Sequence, residues 1–284
     1  MIARVPATSA NIGPGFDSLG MAITLWADVG LIDHDPAMSG VPLGAHRADE
    51  HHLATVAFRG AGGDGELWVR SPIPMGRGLG YSAAVRLGGL LLAHAQRVGD
   101  HEVDDVITTD GAAILAEATA LEGHADNAAS ALLGGVVAST GERSIRVPLQ
   151  FDPAVVVWVP SFTTRTDHSR AQLGRSVSFE DAVFNIGRTA FLVAALASGD
   201  VDALRHGAQD RIHQPQRFAA SPASLRAHEA ALAGGAWCAW LSGSGPTVAS
   251  LCAAEIADEL AASLPDDGHT KVLRIDHGGA SIER

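Results

Sequence analysis

Apolar residues recur along the chain with two periods, one of strands and one of helices, and the two alternate irregularly. The N-terminal run MIARVPATSANIGPGFDSLGMAITLWADVGLI carries aliphatic residues at both ends of a glycine-rich middle. It predicts strand, loop, strand. Residues 34–50 read as a loop with Pro, Gly and His. HLATVAFRGAG reads as a short helix ending at its glycines, and GELWVRSPIP as a strand that stops at its prolines. From Ser82, SAAVRLGGLLLAHAQRVG has helical spacing, weakened by Gly88 and Gly89. DDVITTDGAAILAEATALEG sets Ile114, Leu115, Ala118 and Leu121 on one helical face. DNAASALLGGVVAST predicts a short helix capped by Asp126, then a strand.

Past VPLQFDPAVVVWVPS the order changes. Ser178 and Asp181 have capping-box spacing and open a helix that runs to a glycine stop. DVDALRHGAQDRIHQP predicts a further helix ended by Pro215, and SPASLRAHEAALAGG another. AWCAWLSGSGPTVASLCA reads as strand, tight glycine turn, strand, and TKVLRIDHGG as a last strand. Without a regular strand–helix–strand rhythm, the fold class is α+β. The boundary falls near residues 150–155, giving domains 1–152 and 153–284.

Composition narrows the function. The chain has 284 residues, 46% of them hydrophobic and 18% charged, which suits a packed core. Its net charge of −12, without a Lys/Arg run, argues against nucleic acid and against an anionic membrane surface. An anionic ligand must therefore be held by local devices, such as helix N-termini and single arginines. The N-terminus lacks a basic start followed by an apolar run. Apolar runs such as LGGLLLAHA are too short to cross a bilayer, so a cytoplasmic protein is expected. Cys238 and Cys252 are expected to be reduced and buried, and no Cys/His cluster has metal-ligand spacing.

Three glycine-rich segments carry candidate chemistry. PATSANIGPGFDSLG joins two strands with small polar groups, where Asn11 and Asp17 offer an amide and a carboxylate to an ammonium or a hydroxyl. PMGRGLGYSAA crowds Gly76, Gly78 and Gly80 into a helix start, whose free N–H groups and dipole favour an anion. It is neither a Walker A loop nor a dinucleotide fingerprint, since no Gly-Lys-Ser/Thr ends it and no βαβ unit follows. LSGSGPTVASL is a tight hairpin, or a loop that props the phosphate loop.

In this order and at these distances the three segments resemble the motifs of the GHMP kinase superfamily, and they are most similar to homoserine kinases. LEGHADNAASALLGG is similar to that family's EGHPDN segment, and DAVFNIGRTAFLVAALASGD and DRIHQPQR are similar to it as well. The resemblance implies an N-terminal domain like ribosomal protein S5 domain 2 and a ferredoxin-like C-terminal domain. It implies ATP-dependent phosphorylation of the side-chain hydroxyl of L-homoserine, feeding threonine synthesis, with Mg²⁺. It also makes a homodimer a candidate assembly.

The resemblance implies residue roles. Asn11 and Asp17 line the amino-acid pocket. His124, Asp126 and Asn127 stand near the acceptor hydroxyl, with Asn127 orienting it and Asp126 capping its helix; a base role for Asp126 is the second choice. Thr166 remains from the family's STKEAR segment. Arg170 and Arg217 grip the substrate carboxylate, a task that suits a planar fork. Gly76, Gly78, Leu79, Gly80, Tyr81, Ser82 and Ala83 form the phosphate loop, Ser82 reaches Mg²⁺, His52 borders the adenosine pocket, and Gly243 and Gly245 belong to the third motif.

The chain departs from the family in four places, at five positions. GLGYSAA has Tyr81 where GLGSSAA has serine. DEHHL puts His52 in place of an asparagine. RTDHSR carries Asp167 and His168 for lysine and glutamate. Ala120 stands where a metal-binding glutamate is usual; the nearest substitute is Glu117, one turn earlier on about the same helix face, or else a solvated glutamate. These changes open two alternatives: a kinase for a related hydroxy amino acid, or a homologue that binds an amino acid without transferring phosphate.

Overall fold

The computed structural model describes residues 1–32, 40–98, 105–163, 166–171, 173–174 and 176–283. The first half runs β1 (Ile2–Ala10), β2 (Leu19–Leu31), β3 (His46–Ala48), α1 (Leu53–Gly60), β4 (Leu67–Arg70), α2 (Tyr81–Val98), α3 (Val106–Glu122), α4 (Asp126–Leu133), β5 (Val136–Ser139) and β6 (Ser144–Val147). The second runs β7 (Ala154–Pro160), α5 (Thr166–Ala171), α6 (Phe179–Ser198), α7 (Val201–Gly207), α8 (Gln214–Ala220), α9 (Pro222–Ala233), β8 (Cys238–Leu241), β9 (Val248–Cys252), α10 (Ala257–Ser263), β10 (Gly268–Arg274) and β11 (Ser281–Glu283).

Two antiparallel sheets organise these elements. The larger has seven strands, in the order β11-β1-β2-β4-β3, with β5 and β6 branching from β2. The smaller has the order β10-β7-β9-β8. The sheets divide between β6 and β7, but the chain then returns, because β11 pairs with β1. That C-terminal return carries no turn or periodicity signal strong enough to show in the sequence.

The central helix α2 is buried along most of its length, Leu87, Leu90 and Leu91 included. Gly88 and Gly89 do not interrupt it. A Cβ on Gly89 would lie 2.3 Å from the Ala54 carbonyl oxygen, so close packing against α1 outweighs the weak helix propensity of glycine. The small sheet is covered on both faces, as the continuous apolar run of β7 requires. Val155, Val157 and Val159 enter the large core shared with β1, α2 and α6, while Ala154, Val156 and Trp158 pack with Ala227 and Leu260. Cys238 and Cys252 are free and buried, and they fall in these two different cores. Burial pushes the Cys238 thiol up to about 12.

Three local expectations change. Pro215 does not end a helix. α7 stops at Gly207, and α8 starts at Gln214 with Pro215 in its first turn, where a missing N–H costs nothing. Between them Asp210 accepts from the backbone N–H groups of Ile212, His213 and Gln214, and from Asn185 Nδ2. Asp126 is the first residue of α4, not its cap. Finally, α6 is long and apolar enough by length and composition to cross a membrane, with a mean hydropathy of 1.2, contrary to the expectation that no run would be. Ser178 caps it as its spacing predicts, accepting from Asp181 N at 3.0 Å.

Candidate active site

One cleft of about 880 Å³ gathers most of the predicted site residues. Its phosphate side is the loop before α2. Gly76, Gly78 and Gly80 all take positive φ, at 64°, 75° and 70°. At Gly80 a side chain is also excluded by contact, since a Cβ would lie 1.9 Å from Thr8 Oγ1. The loop turns into α2 at Tyr81, and the first N–H groups of that helix have no partners within it.

Neighbouring strands hold this loop in place. Trp240 Nε1 donates to Ser9 Oγ at 2.9 Å, and Ser9 stands 2.8 Å from Ser242 Oγ, which donates to the Gly78 carbonyl at 2.6 Å. Because Ser242 spends its proton on Gly78, the Ser9 proton points to Ser242, and the relay runs one way. Arg77 donates to the carbonyls of Pro160 and Ser161 at 2.9 and 2.8 Å. The third motif therefore props the loop from behind. Gly243 lines the cleft, whereas Gly245 does not and closes the turn by donating to the Ser242 carbonyl. Ala83 is buried and also lies outside the lining.

The two departures nearest the nucleotide side meet each other. His52 caps α1 through Nδ1, which accepts from Ala54 N at 3.2 Å. Its proton therefore sits on Nε2 and is donated to Tyr81 Oη at 3.2 Å. Burial lowers the His52 pKa, which keeps this neutral tautomer. Tyr81 lines the cleft; His52 stands behind it and does not.

Glu117 is not beside Ser82. It faces His94, with Oε1 3.3 Å from Nε2, and is absent from the cleft wall. The carboxylate that meets Ser82 is Glu122, at the end of α3: Ser82 Oγ donates to Oε2 at 2.9 Å, and Arg86 pairs with Oε1. The Glu122 side chain is only 6% exposed. Helix length explains the correction. Glu117 precedes Glu122 by five residues, about 7.5 Å along the axis and about 140° around it, so Glu117 falls short of the α2 N-terminus. Ser82 and Glu122 offer the hard oxygen donors that a divalent cation of the Mg²⁺ type takes.

The amino-acid side is built on the first glycine segment. Asn11 and Asp17 adopt positive φ, 72° and 56°. The Asn11 amide is a brace: Nδ2 donates to the Gly243 carbonyl at 2.8 Å and Oδ1 accepts from Asp17 N at 3.0 Å. The Asp17 carboxylate pairs with both Nη atoms of Arg170, at 2.6 and 2.8 Å. Arg217 is buried and donates through Nη1 to the Gly243 carbonyl and to His213 Nδ1. His213 gives its Nε2 proton to the Gly13 carbonyl. Burial, and next the Arg170 charge, lower the Arg217 pKa to about 10. Its Nε is fully enclosed and has no hydrogen-bond partner, while the residue itself lines the cleft beside Arg170. Both guanidinium groups stand 5.2 Å from the Phe16 ring centre. Thr166 opens α5, and its side chain lies outside the described residues.

Between the two sides stand His124, Asp126 and Asn127. Asp126 Oδ1 accepts from His124 Nδ1 and Asn127 N, each at 2.8 Å, and from Asn127 Nδ2 at 3.3 Å. The hydrogen bond to Asp126 raises the His124 pKa. Thr8 Oγ1 donates to Asn127 Oδ1 at 2.6 Å, so the residue that packs on Gly80 also fixes the central amide. Thr8, Arg86, Glu122, Phe16 and His213 were not singled out by sequence reasoning. All five lie inside segments already noted, and position in a motif was the only available signal.

Comparison with known proteins accords with this layout. The family model described as GHMP kinases C terminal matches residues 192–268. The homoserine kinase of Moorella thermoacetica is 38% identical over 88% of this chain and 87% of its own length. That of Streptomyces coelicolor is 38% identical over 98% and 93%. A homoserine kinase structure from Cytophaga hutchinsonii superposes with a TM-score of 0.80 at 24% identity, covering 100% of this chain and 97% of its own. A mevalonate kinase structure reaches a TM-score of 0.69 at 14% identity over 98% of this chain, and so shares the fold. The chain has the two-domain GHMP kinase fold, and it belongs to the homoserine kinase family.

Proposed function

We propose that this protein transfers the γ-phosphate of ATP to the side-chain hydroxyl of L-homoserine, giving O-phospho-L-homoserine for threonine synthesis. The observation that carries the reading is one cleft with an anion site at each end and a fixed amide between them. At one end is the N-terminus of α2, and at the other are the Arg217 and Arg170 side chains. In this reading the carboxylate of the amino acid meets Arg217 and Arg170 and its ammonium meets Asp17. Its hydroxyl then reaches Asn127.

Mechanistically the site positions more than it activates. Asn127 already has one bond at each end of its amide, to Thr8 and to Asp126. Each end keeps one further hydrogen-bonding position, so Oδ1 can accept the substrate hydroxyl proton and turn an oxygen lone pair toward the phosphate. Asp126 holds Asn127 and His124 in place, and its base role stays second. As the new O–P bond forms, the bond to the leaving ADP breaks, the hydroxyl proton passes to an oxygen of the transferred phosphoryl group, and charge on the equatorial oxygens meets the α2 N-terminus and the glycine loop. Ser82 and Glu122 would hold Mg²⁺, which neutralises phosphate charge when bound. Tyr81, steadied by His52, walls the nucleotide side.

The division into domains 1–152 and 153–284 is part of this reading, as is a cytoplasmic location, where ATP is at hand. The exposed apolar stripe of α6, with Phe179, Val183 and Ile186, supports a second copy of the chain as the partner that covers it. No observation favours a different hydroxy amino acid or a loss of transfer. The test is ADP release from ATP-Mg²⁺ with a panel of hydroxy amino acids. Turnover restricted to homoserine bears the proposal out; preference for another acceptor, or no turnover, overturns it.

A further inference from the structure

Arginines Arg77, Arg86, Arg170 and Arg217 line the cleft, and their commitments differ. Arg77 is spent on the Pro160 and Ser161 carbonyls, Arg170 on Asp17, and Arg217 on Gly243 and His213. Arg86 is the one of these four on the phosphate side whose only hydrogen bond among the described residues is to another side chain of the cleft wall, Glu122. It follows Ser82 by four residues on α2, so the two share one helix face. Its side chain is 22% exposed, that of Glu122 6%.

The charges on this side do not yet suit a polyphosphate. Glu122 is a nearly buried anion beside the helix N-terminus, and Arg86 cancels it. What remains is the helix end, equivalent to about half a positive charge. With a net charge of −12 the molecule supplies no helpful field. A nucleoside triphosphate brings several negative charges to this spot, and a guanidinium fork pairs with phosphate oxygens bidentately. A hard divalent cation, for its part, prefers the oxygens of Ser82 and Glu122 to water alone.

We infer that Arg86 is a phosphate-binding residue of this kinase, paired with Glu122 and passed to the phosphates once Glu122 serves a divalent cation. This rests on the kinase reading above. In the exchange Arg86 trades one anionic partner for another, so no buried cation is left unpaired. The arrangement also makes nucleotide and cation help each other: whatever engages Glu122 frees Arg86, and whatever engages Arg86 frees Glu122.

The experiment measures binding of a non-hydrolysable ATP analogue by calorimetry, in EDTA and in excess MgCl₂, for the wild type, Glu122→Gln, Arg86→Ala and the double variant. The double variant leaves no unpaired charge in the cleft, and a melting curve verifies that each protein is folded. In EDTA, Glu122→Gln should bind the analogue about tenfold more tightly than the wild type, the scale of one charge-assisted bond. Adding Arg86→Ala should abolish that gain, and Arg86→Ala alone should weaken binding in MgCl₂ by a similar factor. Equal binding by Glu122→Gln and the double variant overturns the inference, even if the wild type phosphorylates homoserine efficiently. A wild type that binds the analogue without phosphorylating homoserine overturns the proposed acceptor, while the arginine comparison still decides this one.

Discussion

Removing the Thr8 hydroxyl should damage catalysis far more than amino-acid binding. Thr8 is fully buried on β1, and its Oγ1 lies 2.6 Å from Asn127 Oδ1. Thr8→Ala leaves that buried carbonyl oxygen without its donor, which costs about 1–3 kcal/mol of stability. For a chain of this size each kcal/mol lowers Tm by about 2–4 °C. With one end of the amide released, Asn127 can rotate about its side-chain bond and the acceptor hydroxyl loses its line of attack. We expect kcat to fall by about 10–100-fold, the cost of a misplaced reactant. The proposed carboxylate and ammonium contacts fall on Arg217, Arg170 and Asp17, none of which is hydrogen-bonded to Thr8, so KM for homoserine should stay within about threefold, as expected for independent sites. Thr8→Val tests the same loss at constant volume, and Thr8→Ser, which keeps the hydroxyl, should recover most of kcat. The assay is ADP release at saturating ATP with homoserine varied, alongside a thermal melt. An unchanged kcat in Thr8→Ala, with Tm lowered as expected, would reduce the bond to a structural one and refute the reasoning. A rise in KM equal to the fall in kcat would show that Thr8 acts on the whole amino-acid site.

Further expectations concern the rest of the cleft. Arg217→Ala should raise KM for homoserine by about 10–100-fold, the value of a charge-assisted bond, with KM for ATP nearly unchanged; equal losses on both would sink its assignment to the carboxylate. Gly80→Ala forces a Cβ to 1.9 Å from Thr8 Oγ1 at a φ of 70°, so nucleotide binding by calorimetry and Tm should both fall sharply, and a variant as stable as the wild type would contradict the packing. The His124 pKa is raised above 6.5 mainly by its hydrogen bond to Asp126, so the stabilisation is fully present below the unfolded value and fades as pH rises through the folded one. Wild type should therefore exceed His124→Asn in Tm by most at mildly acid pH and by least above it; a pH-independent gap would show the ion pair to be irrelevant. Finally, 4-hydroxybutyrate, which lacks the ammonium, should bind worse than the loss of one contact explains, because Asp17 then keeps competing for Arg170; isothermal titration beside homoserine measures this.

The elements that were legible in the sequence are those that carry their own signals. The central helix, the Ser178 cap and the strand–glycine turn–strand near the C-terminus follow from periodicity and capping chemistry, which act over a few residues. Pro215 misled because a proline that forbids the continuation of one helix suits the start of another. The choice was made by Asp210, which draws in the N–H groups of Ile212, His213 and Gln214. β11 was invisible because its partner β1 lies at the other end of the chain. The site divides in the same way. Glycine conformations and the arginines of matching segments could be read locally. The carboxylate beside Ser82 could not, because it depends on where α3 ends relative to α2. Glu117 has the right spacing for its own helix and the wrong height for its neighbour, where Glu122 stands instead.

That substitution bears on how the departures from the family should be weighed. Counted along the sequence, Tyr81, His52 and Ala120 are separate losses on the nucleotide and metal side. In space they are fewer. His52 donates to Tyr81, so a ring and a hydroxyl that would each have disturbed the loop alone instead satisfy one another, and His52 keeps its cap on α1 through its other nitrogen. Near Ala120 the carboxylate that reaches Ser82 is that of Glu122, at the end of the same helix. A carboxylate so nearly buried needs a counterion, and Arg86 on the facing helix supplies it. Two of the departures, His52 and Tyr81, are thus hydrogen-bonded to each other. Reverting one member alone, for instance Tyr81 to serine, would strip His52 of its acceptor and open space behind the loop. Chains that drift after losing an activity have no reason to keep such pairs matched, and the matching argues that this cleft still meets a phosphate.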